Sequence, residues 1–407
     1  MNESGMESTT RCESAGTASS DTRKLRVALV LAVWPGDISY LVELSKHVQL
    51  SVHHSNWLPR DQDCGPVEIP GVTIHSHSPL IRTERANVAL CYPGLAKALS
   101  RDRADVVHVV CEPWGLPVVQ AARWAAAHPG AKLVAHGCDT IWHHGRPAEQ
   151  LARRAILRYT MPRLDAYVAE NSKALALARA NGLRADAQTA RIHTNPRDGY
   201  RWCPPTAPER ACARAALKLD EHTVAIGFCG RLVEQKGVLR FVEAARSLLS
   251  QGFQGEFFVA GSGPLTDQLK ACAPAGLNVV GSLGHPEGVR GFLHALDVFS
   301  CPSLSTASWE DQGPRALLEA MMCGVVPMGT PTGGIPEMLG SHGQLSVDTG
   351  AESIAEAIAI AATISSDQRP RTAVAEYAAS LYSAESAADQ FSELWGSVTT
   401  VGAGRRR

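Results

Sequence analysis

The chain has 407 residues, of which 45% are hydrophobic and 19% are charged, and its formal net charge is −1. This length is too great for one ordinary core, so two domains of roughly 150 to 200 residues are expected. The near-zero net charge offers no electrostatic argument for nucleic acid as a partner. The eleven cysteines show no C-x-x-C spacing, so neither a metal site nor a disulfide framework is predicted. A cytoplasmic location fits best.

Residues 1–24 are polar and lack the basic start and apolar core of a signal peptide, so a disordered tail is predicted. The first apolar run, Val27 to Val33, is too short to span a bilayer, and no later run approaches about 20 apolar residues. A basic helix around Arg153, Arg154 and Arg158 is interpreted as a solvated face or a surface for anionic lipid. Membrane contact is therefore expected to be peripheral at most.

The first half of the chain alternates apolar strands with helices. A buried strand from Leu25 to Val33 leads into a turn at Gly36 and then into a helix from about Ile38 to Val48. The turn lacks the G-x-G-x-x-G pattern of dinucleotide sites, which argues against a nicotinamide oxidoreductase. Further strands are predicted at Val72–Ile74, Asp105–Val110, Lys132–Ala135 and Tyr167–Ala169. This alternation predicts an α/β fold with a doubly wound parallel sheet, whose ligands bind beyond the carboxyl ends of the strands.

One histidine stands at the end of such a strand. His136 directly follows Lys132–Ala135 and precedes a glycine, so its side chain is expected to project into the crevice. A catalytic role and a structural hydrogen-bonding role are both open for a histidine in this position.

A second α/β unit is predicted after a segment rich in turn formers, Thr194 to Pro205, which is the expected domain boundary. Its first strand is Val224–Cys229. Arg231 and Lys236 lie in the following strand-to-helix loop. Because arginine can bind phosphate bidentately and lysine acts as a point charge, the pair is consistent with a diphosphate site, whereas isolated surface charges are the simpler reading.

The stretch from Trp309 to Glu337 contains the start of a helix. Pro314 suits the first position of a helix, the residues up to Met322 are good helix formers, and Gly324 is the expected stop. A short buried strand and a glycine turn follow.

This helix start is predicted to bind an anion. The backbone amides near Gly313, Arg315 and Ala316 lie where the helix dipole favours a phosphate or carboxylate. Asp311 and Glu319 have seven residues between them, and they could accept hydrogen bonds from hydroxyl groups on two parts of one ligand. The alternative is that Asp311 caps the helix and Glu319 is solvated.

Four motifs of the second half occur in a fixed order. They are Gly230-Arg231-Leu232 with Lys236-Gly237, Ala260-Gly261-Ser262-Gly263-Pro264, Asp297-Val298-Phe299 with Pro302-Ser303, and the helix between Asp311 and Glu319. Together they resemble the retaining glycosyltransferases of family 4, which are GT-B enzymes with two Rossmann-like domains facing across a cleft. The resemblance covers nearly the whole chain from Leu25 and is strongest in the second half.

The resemblance implies a role for each matching residue. Arg231 and Lys236 would hold the donor diphosphate, and Glu319 would bind the ribose hydroxyls. Asp311 stands where the family normally has a glutamate that contacts the sugar hydroxyls. The aspartate is shorter by one methylene, a departure that could shift the sugar preference.

Further site residues follow from the same resemblance. His136 matches the family's active-site histidine beside the transferred sugar, and Gly36 matches the glycine turn facing the donor. Gly313, Arg315 and Ala316 complete the predicted donor site. Near Asn195 the family's P-N-G-V-D segment is broken by Pro196-Arg197-Asp198, and no role is assigned to it.

The resemblance also implies the domain plan. After the tail at 1–24, residues 25–199 would form the acceptor domain and residues 200–375 the donor domain. Residues 376–407 would form a helix that packs back on the first domain, followed by a basic tail.

The implied reaction transfers a sugar from a nucleotide diphosphate, a UDP-sugar by the commonest pattern of the family, to an acceptor hydroxyl with retention of configuration. Neither a metal nor a cofactor is expected. The acceptor stays open between a small polar metabolite or natural-product aglycone and a lipid or polysaccharide. Two other functions share the fold, a non-hydrolysing sugar-nucleotide 2-epimerase and a catalytically idle sugar-nucleotide-binding partner. A pyridoxal-phosphate phosphorylase would require a Schiff-base lysine.

Overall fold

A computed structural model describes residues 23–31, 37–56, 68–80, 91–142 and 145–404. The first of its two sheets has seven strands in the order β3-β2-β1-β4-β5-β6-β7. These strands are β1 Arg26–Leu31, β2 Gln49–Ser55, β3 Val72–His77, β4 Val106–Val110, β5 Lys132–Gly137, β6 Ala166–Ala169 and β7 Gln188–Arg191.

The second sheet has six strands in the order β10-β9-β8-β11-β12-β13. They are β8 Val224–Cys229, β9 Gly255–Ala260, β10 Leu277–Gly281, β11 Val298–Cys301, β12 Val326–Gly329 and β13 Gln344–Leu345. Neighbouring strands pair in parallel, and the chain reverses its direction of winding between β8 and β11. In open α/β sheets a ligand crevice forms at such a switch point, outside the carboxyl ends of the strands.

Helices cover both sheets. Those of the first half are α1 Ser39–His47, α2 Leu95–Asp102, α3 Leu116–Ala126, α4 Pro147–Thr160 and α5 Ser172–Ala180. Those of the second half are α6 Ala207–Ala216, α7 Val238–Ser250, α8 Thr266–Cys272, α9 Glu287–Ala295, α10 Arg315–Met322, α11 Ile335–Leu339, α12 Ala351–Ser365, α13 Gln368–Tyr382 and α14 Ala384–Gly404. Single 3₁₀ turns occur at Met161–Arg163 and Glu234–Lys236. Within the described ranges, the helices fall short of the combined length and apolar character that crossing a bilayer requires.

The apolar strands are buried on both faces. In β1, Val30 belongs to the core with α2 and α3, whereas its neighbour Leu29 belongs to the core on the opposite face with α1. In β8, Ala225 and Ile226 divide in the same way between two cores of the second sheet. Continuous apolar runs such as these are what a parallel sheet covered on both sides requires. The predicted fold of two doubly wound sheets is therefore confirmed.

The last two helices cross between the two halves of the molecule. Helix α13 spans the predicted boundary at residue 375 and packs Val374 and Ala378 into the core of the second sheet. Helix α14 instead packs Phe391 and Trp395 against the first sheet. The Arg197 backbone N–H donates to the Tyr382 carbonyl at 2.9 Å. This hydrogen bond joins the linker that contains Arg197 to the second connection between the halves, at the end of α13.

Some predicted elements differ from the structure. Strand β2 was not predicted, because the run Gln49–Ser55 contains two histidines and two serines, yet it pairs with a strand on each side. Helix α10 begins at Arg315, one residue later than predicted, because the backbone of Pro314 is extended with ψ 113°. Helix α5 is capped by Asn171, whose side chain accepts from the Ala174 N–H at 3.0 Å.

Candidate functional site

A cavity of about 560 Å³ lies at the switch point of the second sheet. Its walls are the ends of β8 and β11 and the first turns of α10, where parallel strands place their carboxyl ends and a helix its amino end. Six of the predicted site residues line it: Arg231, Lys236, Asp311, Arg315, Ala316 and Glu319. The sequence motifs therefore converge on one space.

The first carboxylate of the cavity is ion-paired. Lys236 Nζ lies 2.7 Å from Asp311 Oδ2, and the Ser303 hydroxyl donates to the same oxygen at 2.6 Å. The Trp309 ring lies 5.4 Å from the Lys236 ammonium. Asp311 is 6% exposed, and the N-cap of α10, Pro314, receives no side-chain cap hydrogen bond, so Asp311 is fixed in the cavity wall and does not cap the helix.

Lys236 is placed by a close backbone approach. Gly237, which follows it, has φ +67°, and a side chain there would collide with the carbonyl of Pro302 at the end of β11. A glycine lets the Lys236 turn press against the neighbouring strand end. This contact explains why the Lys-Gly pair stands in the motif.

The second carboxylate, Glu319, is covered by Arg197, a residue for which no role was predicted. Arg197 Nε lies 2.8 Å from Glu319 Oε1, and His285 Nε2 lies 3.2 Å from the same oxygen. Arg197 is 1% exposed and Glu319 3% exposed. The reading of Glu319 as a solvated side chain is wrong, because a linker residue 122 positions away covers it.

The surroundings of Glu319 carry an excess of positive charge. The pKa of the Arg315 guanidinium is lowered, first because protein replaces water around it and then because Arg197 and Arg231 bear the same charge, with Glu319 opposing them. Arginines that raise one another's energy in this way are stabilised by an added anion. The first turn of α10 faces the same space. Its N–H groups have no carbonyl acceptor within the helix and carry the partial positive charge of the helix dipole.

Gly313 lies at the seam between the two halves rather than in the cavity wall. A side chain at Gly313 would collide with Glu170 and His193 of the first half. In the same seam, Asn171 Nδ2 donates to the Gln312 carbonyl at 2.9 Å. The loop before α10 is therefore positioned by both halves of the molecule.

Glu170 and His193 form a buried pair at this seam. His193 Nε2 lies 2.9 Å from Glu170 Oε1, and both side chains are 3% exposed. The Asn195 N–H donates to His193 Nδ1 at 3.0 Å, which leaves the ring proton on Nε2, facing the carboxylate. Burial acts to raise the pKa of Glu170, but His193 and the Thr194 N–H lower it overall. The sequence feature that could have indicated this pair is an acidic residue, Glu170, directly after β6.

His136 does not project into the crevice as predicted. Strand β5 continues through Gly137, and its backbone pairs His136 with Val110 and Val168. The side chain is 2% exposed, Nε2 donates to the Ile192 carbonyl at 2.9 Å, and burial lowers the pKa of His136 to about 4. Its ring centroid lies 5.9 Å from that of Phe391 in α14. The expected position was wrong because α14, from the far end of the chain, covers this face of the strand.

The remaining site prediction in the first half concerns Gly36, and a further buried carboxyl there is Glu112. Gly36 lies outside the described residues. Glu112 accepts from the backbone N–H groups of Cys138 and Asp139 at 2.5 and 2.9 Å, which ties the loops after β4 and β5 together. Burial and the Asp139 carboxylate raise the pKa of Glu112 to about 8.

Two family models match the chain in succession. The model described as "Glycosyl transferase 4-like domain" matches residues 22–217, and the one described as "Glycosyl transferases group 1" matches residues 223–363. The second range contains every residue that lines the cavity.

Curated relatives match over shorter segments. The amylovoran biosynthesis glycosyltransferase AmsK of Erwinia amylovora is 36% identical over 115 residues, 27% of this chain and 28% of the relative. The GDP-mannose-dependent alpha-(1-6)-phosphatidylinositol dimannoside mannosyltransferase of Mycobacterium tuberculosis is 28% identical over 153 residues, 37% of this chain and 39% of the relative. This chain thus spans about a third of the length of these curated relatives.

A solved structure matches nearly the whole chain. Anabaena Alr3699/HepE in complex with UDP superposes with a TM-score of 0.65 over 92% of this chain and 100% of that chain, at 16% sequence identity. The same protein has also been solved with UDP-glucose. At this identity the likeness shows the fold, which is the GT-B arrangement of two Rossmann-like domains.

Proposed function

Because the chain belongs to the glycosyl transferases of group 1, which are family 4-like and have the GT-B fold, we propose that it transfers a sugar from a nucleoside diphosphate to an acceptor hydroxyl. The donor would bind in the switch-point cavity. The observation that carries the proposal is the charge there: Arg231, Arg315 and Lys236 line the cavity with two carboxylates, and the buried Arg197 is ion-paired with Glu319. A dianionic diphosphate balances that excess.

The diphosphate would lie between Arg231, Lys236 and the first turn of α10. Arg231 can bind two phosphate oxygens through its fork, and the N–H groups of Arg315 and Ala316 add the positive end of the helix. When the bond to the sugar breaks, negative charge grows on the leaving diphosphate. Groups already fixed around it stabilise that charge without reorganising. The proposal therefore requires no metal for the chemical step.

The two carboxylates would orient the donor at either end. Both contacts to Glu319 go to Oε1, so Oε2 is left to accept from the ribose hydroxyls. Asp311 would accept a hydrogen bond from a hydroxyl group of the transferred sugar. Its contacts with Lys236 and Ser303 fix how far this aspartate, which is shorter than the family's glutamate, extends into the cavity.

We propose retention of anomeric configuration, as the resemblance to the retaining family implies, and we infer a front-face route to it from the occupancy of these carboxylates. A double displacement needs a carboxylate nucleophile, and the carboxylates that line this cavity, Asp311 and Glu319, are both held by cations. In the proposed step the acceptor oxygen attacks the anomeric carbon on the same face from which the phosphate leaves. The bond from the sugar to the phosphate oxygen breaks as the bond to the acceptor forms, and the leaving phosphate takes the acceptor's proton.

For the donor we propose a UDP-sugar. The support is the fold shared with a protein solved with UDP and with UDP-glucose. A curated relative named as GDP-mannose-dependent makes a GDP-sugar the second donor to test. The first domain would supply the acceptor site, and the acceptor remains to be found by screening.

The test is turnover with a panel of UDP- and GDP-sugars and of sugar, lipid and aglycone acceptors, with the product followed by NMR. The expected result is nucleotide release that depends on acceptor, and a product whose anomeric configuration is that of the donor. An inverted product would overturn the retaining step. Appearance of an epimerised donor without acceptor would instead identify a 2-epimerase, and binding without turnover on every acceptor would favour an idle binding partner.

A further inference from the structure

A polar cluster lies under α2, at the edge of the first sheet and away from the donor cavity. Strands β2 and β3 pair so that His53 stands beside His75, with His77 further along the same edge strand. Asp102, the last residue of α2, lies against these side chains. Imidazole and carboxylate groups brought together on one face form a set of metal-ligating atoms.

Three of these groups offer one ligand atom each within a small space. His53 Nε2 lies 3.0 Å from Asp102 Oδ2, and His75 Nε2 lies 3.0 Å from Asp102 Oδ1. All three ligand atoms lie within 4.8 Å of one another. The His53 side chain is fully buried, whereas the side chains of His75 and Asp102 are 26% and 14% exposed. One side of the cluster therefore remains open to water.

The residues behind the cluster would fix its ligands. His77 Nε2 lies 3.1 Å from His53 Nδ1, so a proton between these two nitrogens can hold the His53 ring with Nε2 as a lone-pair donor. The Ser51 side chain hydrogen-bonds to Asp102. Partners of this kind orient the ligands in known metal sites.

We propose that His53, His75 and Asp102 bind a divalent first-row transition metal ion, Zn²⁺ in the first instance, with water as a further ligand. Two imidazoles and one carboxylate suit Zn²⁺, which binds them at about 2.0 to 2.2 Å. Binding would replace the two hydrogen bonds to Asp102 by bonds to the ion, so the ligand atoms would shift from their present spacing. The partly exposed His75 ring has the freedom to make that movement.

The ion would fasten the outer strands of the first sheet to α2. It lies outside the glycosyl-transfer chemistry proposed above, so it does not depend on that function. The competing account is that the three groups only hydrogen-bond to one another, each imidazole donating to a different oxygen of Asp102. The two accounts differ in what happens when metal is supplied.

The experiment uses the full chain, stripped with EDTA and dialysed against excess Zn²⁺, then desalted and measured by metal analysis and thermal unfolding. The wild type should retain about one zinc ion per chain and unfold at a higher temperature with zinc than without. His75→Ala and Asp102→Asn should lose both effects. His222→Ala, which removes an exposed histidine of the other domain, should keep both.

Two results would overturn the proposal. One is a wild type that retains no more zinc than His75→Ala. The other is zinc retention by His75→Ala and Asp102→Asn equal to that of His222→Ala, which would assign the zinc to other histidines. Circular dichroism of the zinc-free variants confirms that each is folded before it is compared. Donor binding by the zinc-free wild type should be unchanged, which separates this proposal from the proposed function.

Discussion

Buried carboxylates are treated in opposite ways in the two domains. In the second domain Asp311 and Glu319 are each paired with a cation, beside a cavity of about 560 Å³. In the first domain Glu112 is held by backbone N–H groups beside a cavity of only about 20 Å³, and Glu170 is enclosed with His193. Carboxylates that are paired with cations beside open space indicate a ligand site, whereas enclosed carboxyl groups without such space hold neighbouring segments of the fold together.

The largest expected effect comes from breaking the pair between Arg197 and Glu319. Arg197→Met leaves a buried carboxylate without its guanidinium, which should lower the free energy of unfolding by about 3 kcal/mol. Urea denaturation measures this loss, and Arg201→Met, on the exposed part of the same linker, is the control. Adding Glu319→Gln to Arg197→Met should recover part of the loss because no buried charge remains. A double variant as unstable as Arg197→Met would contradict the pairing.

The next effect concerns the charge that meets the donor. Arg231→Ala should lower kcat/KM by about 100-fold, since it removes one group that stabilises the developing negative charge. Arg240→Ala is the matched control, because Arg240 lies on the outer side of α7 and pairs with Glu243. Steady-state kinetics with one donor and one acceptor give the comparison. Equal activity of the two variants would remove Arg231 from the donor site.

A third change tests the seam between the domains. Gly313→Ala would place a methyl group against Glu170 and His193, so we expect kcat/KM to fall by about 10-fold, an effect of about 1 to 2 kcal/mol typical of overpacking. In Gly284→Ala the added methyl group meets open space, and its activity should stay near that of the wild type. Full activity of Gly313→Ala would show that the seam tolerates displacement.

The last prediction is a pH dependence of stability and concerns Glu112. Because its folded pKa is raised to about 8, the folded protein retains a proton that the unfolded chain loses at lower pH. The stability that this carboxyl contributes is complete below its unfolded pKa and is lost as pH rises through the folded value. The stability of the wild type should therefore fall relative to that of Glu112→Gln as the pH rises from 5 to 8, measured by urea denaturation at each pH. Parallel stability curves for the two proteins would contradict the raised pKa.

The fold and the donor side of the site could be predicted because their signals are local in sequence. Apolar runs ending in glycine turns indicate parallel strands, and Arg231 with Lys236 lie within one loop. The helix start at Arg315 places its amides and two acidic residues within nine positions. Each of these patterns follows from backbone geometry without knowledge of the rest of the chain.

The contacts that sequence reasoning missed join distant parts of the chain. Arg197 reaches Glu319 across 122 positions, and α14 covers His136 from the far end of the chain. Strand β2 was missed because it carries polar residues, among them His53, which contacts Asp102, instead of forming an apolar run. No periodicity within one element reports such pairings, since they arise only when the domains are assembled.

The central claim is that the cavity of the second domain binds the nucleotide sugar, and calorimetry without acceptor tests it most directly. We expect UDP-glucose, or a related UDP-sugar, to bind the wild type and Arg240→Ala with similar affinity. Arg231→Ala and Glu319→Ala should show no measurable binding, while circular dichroism confirms that both are folded. Binding that survives in both variants, or the lack of binding of any UDP- or GDP-sugar to the wild type, would contradict the account.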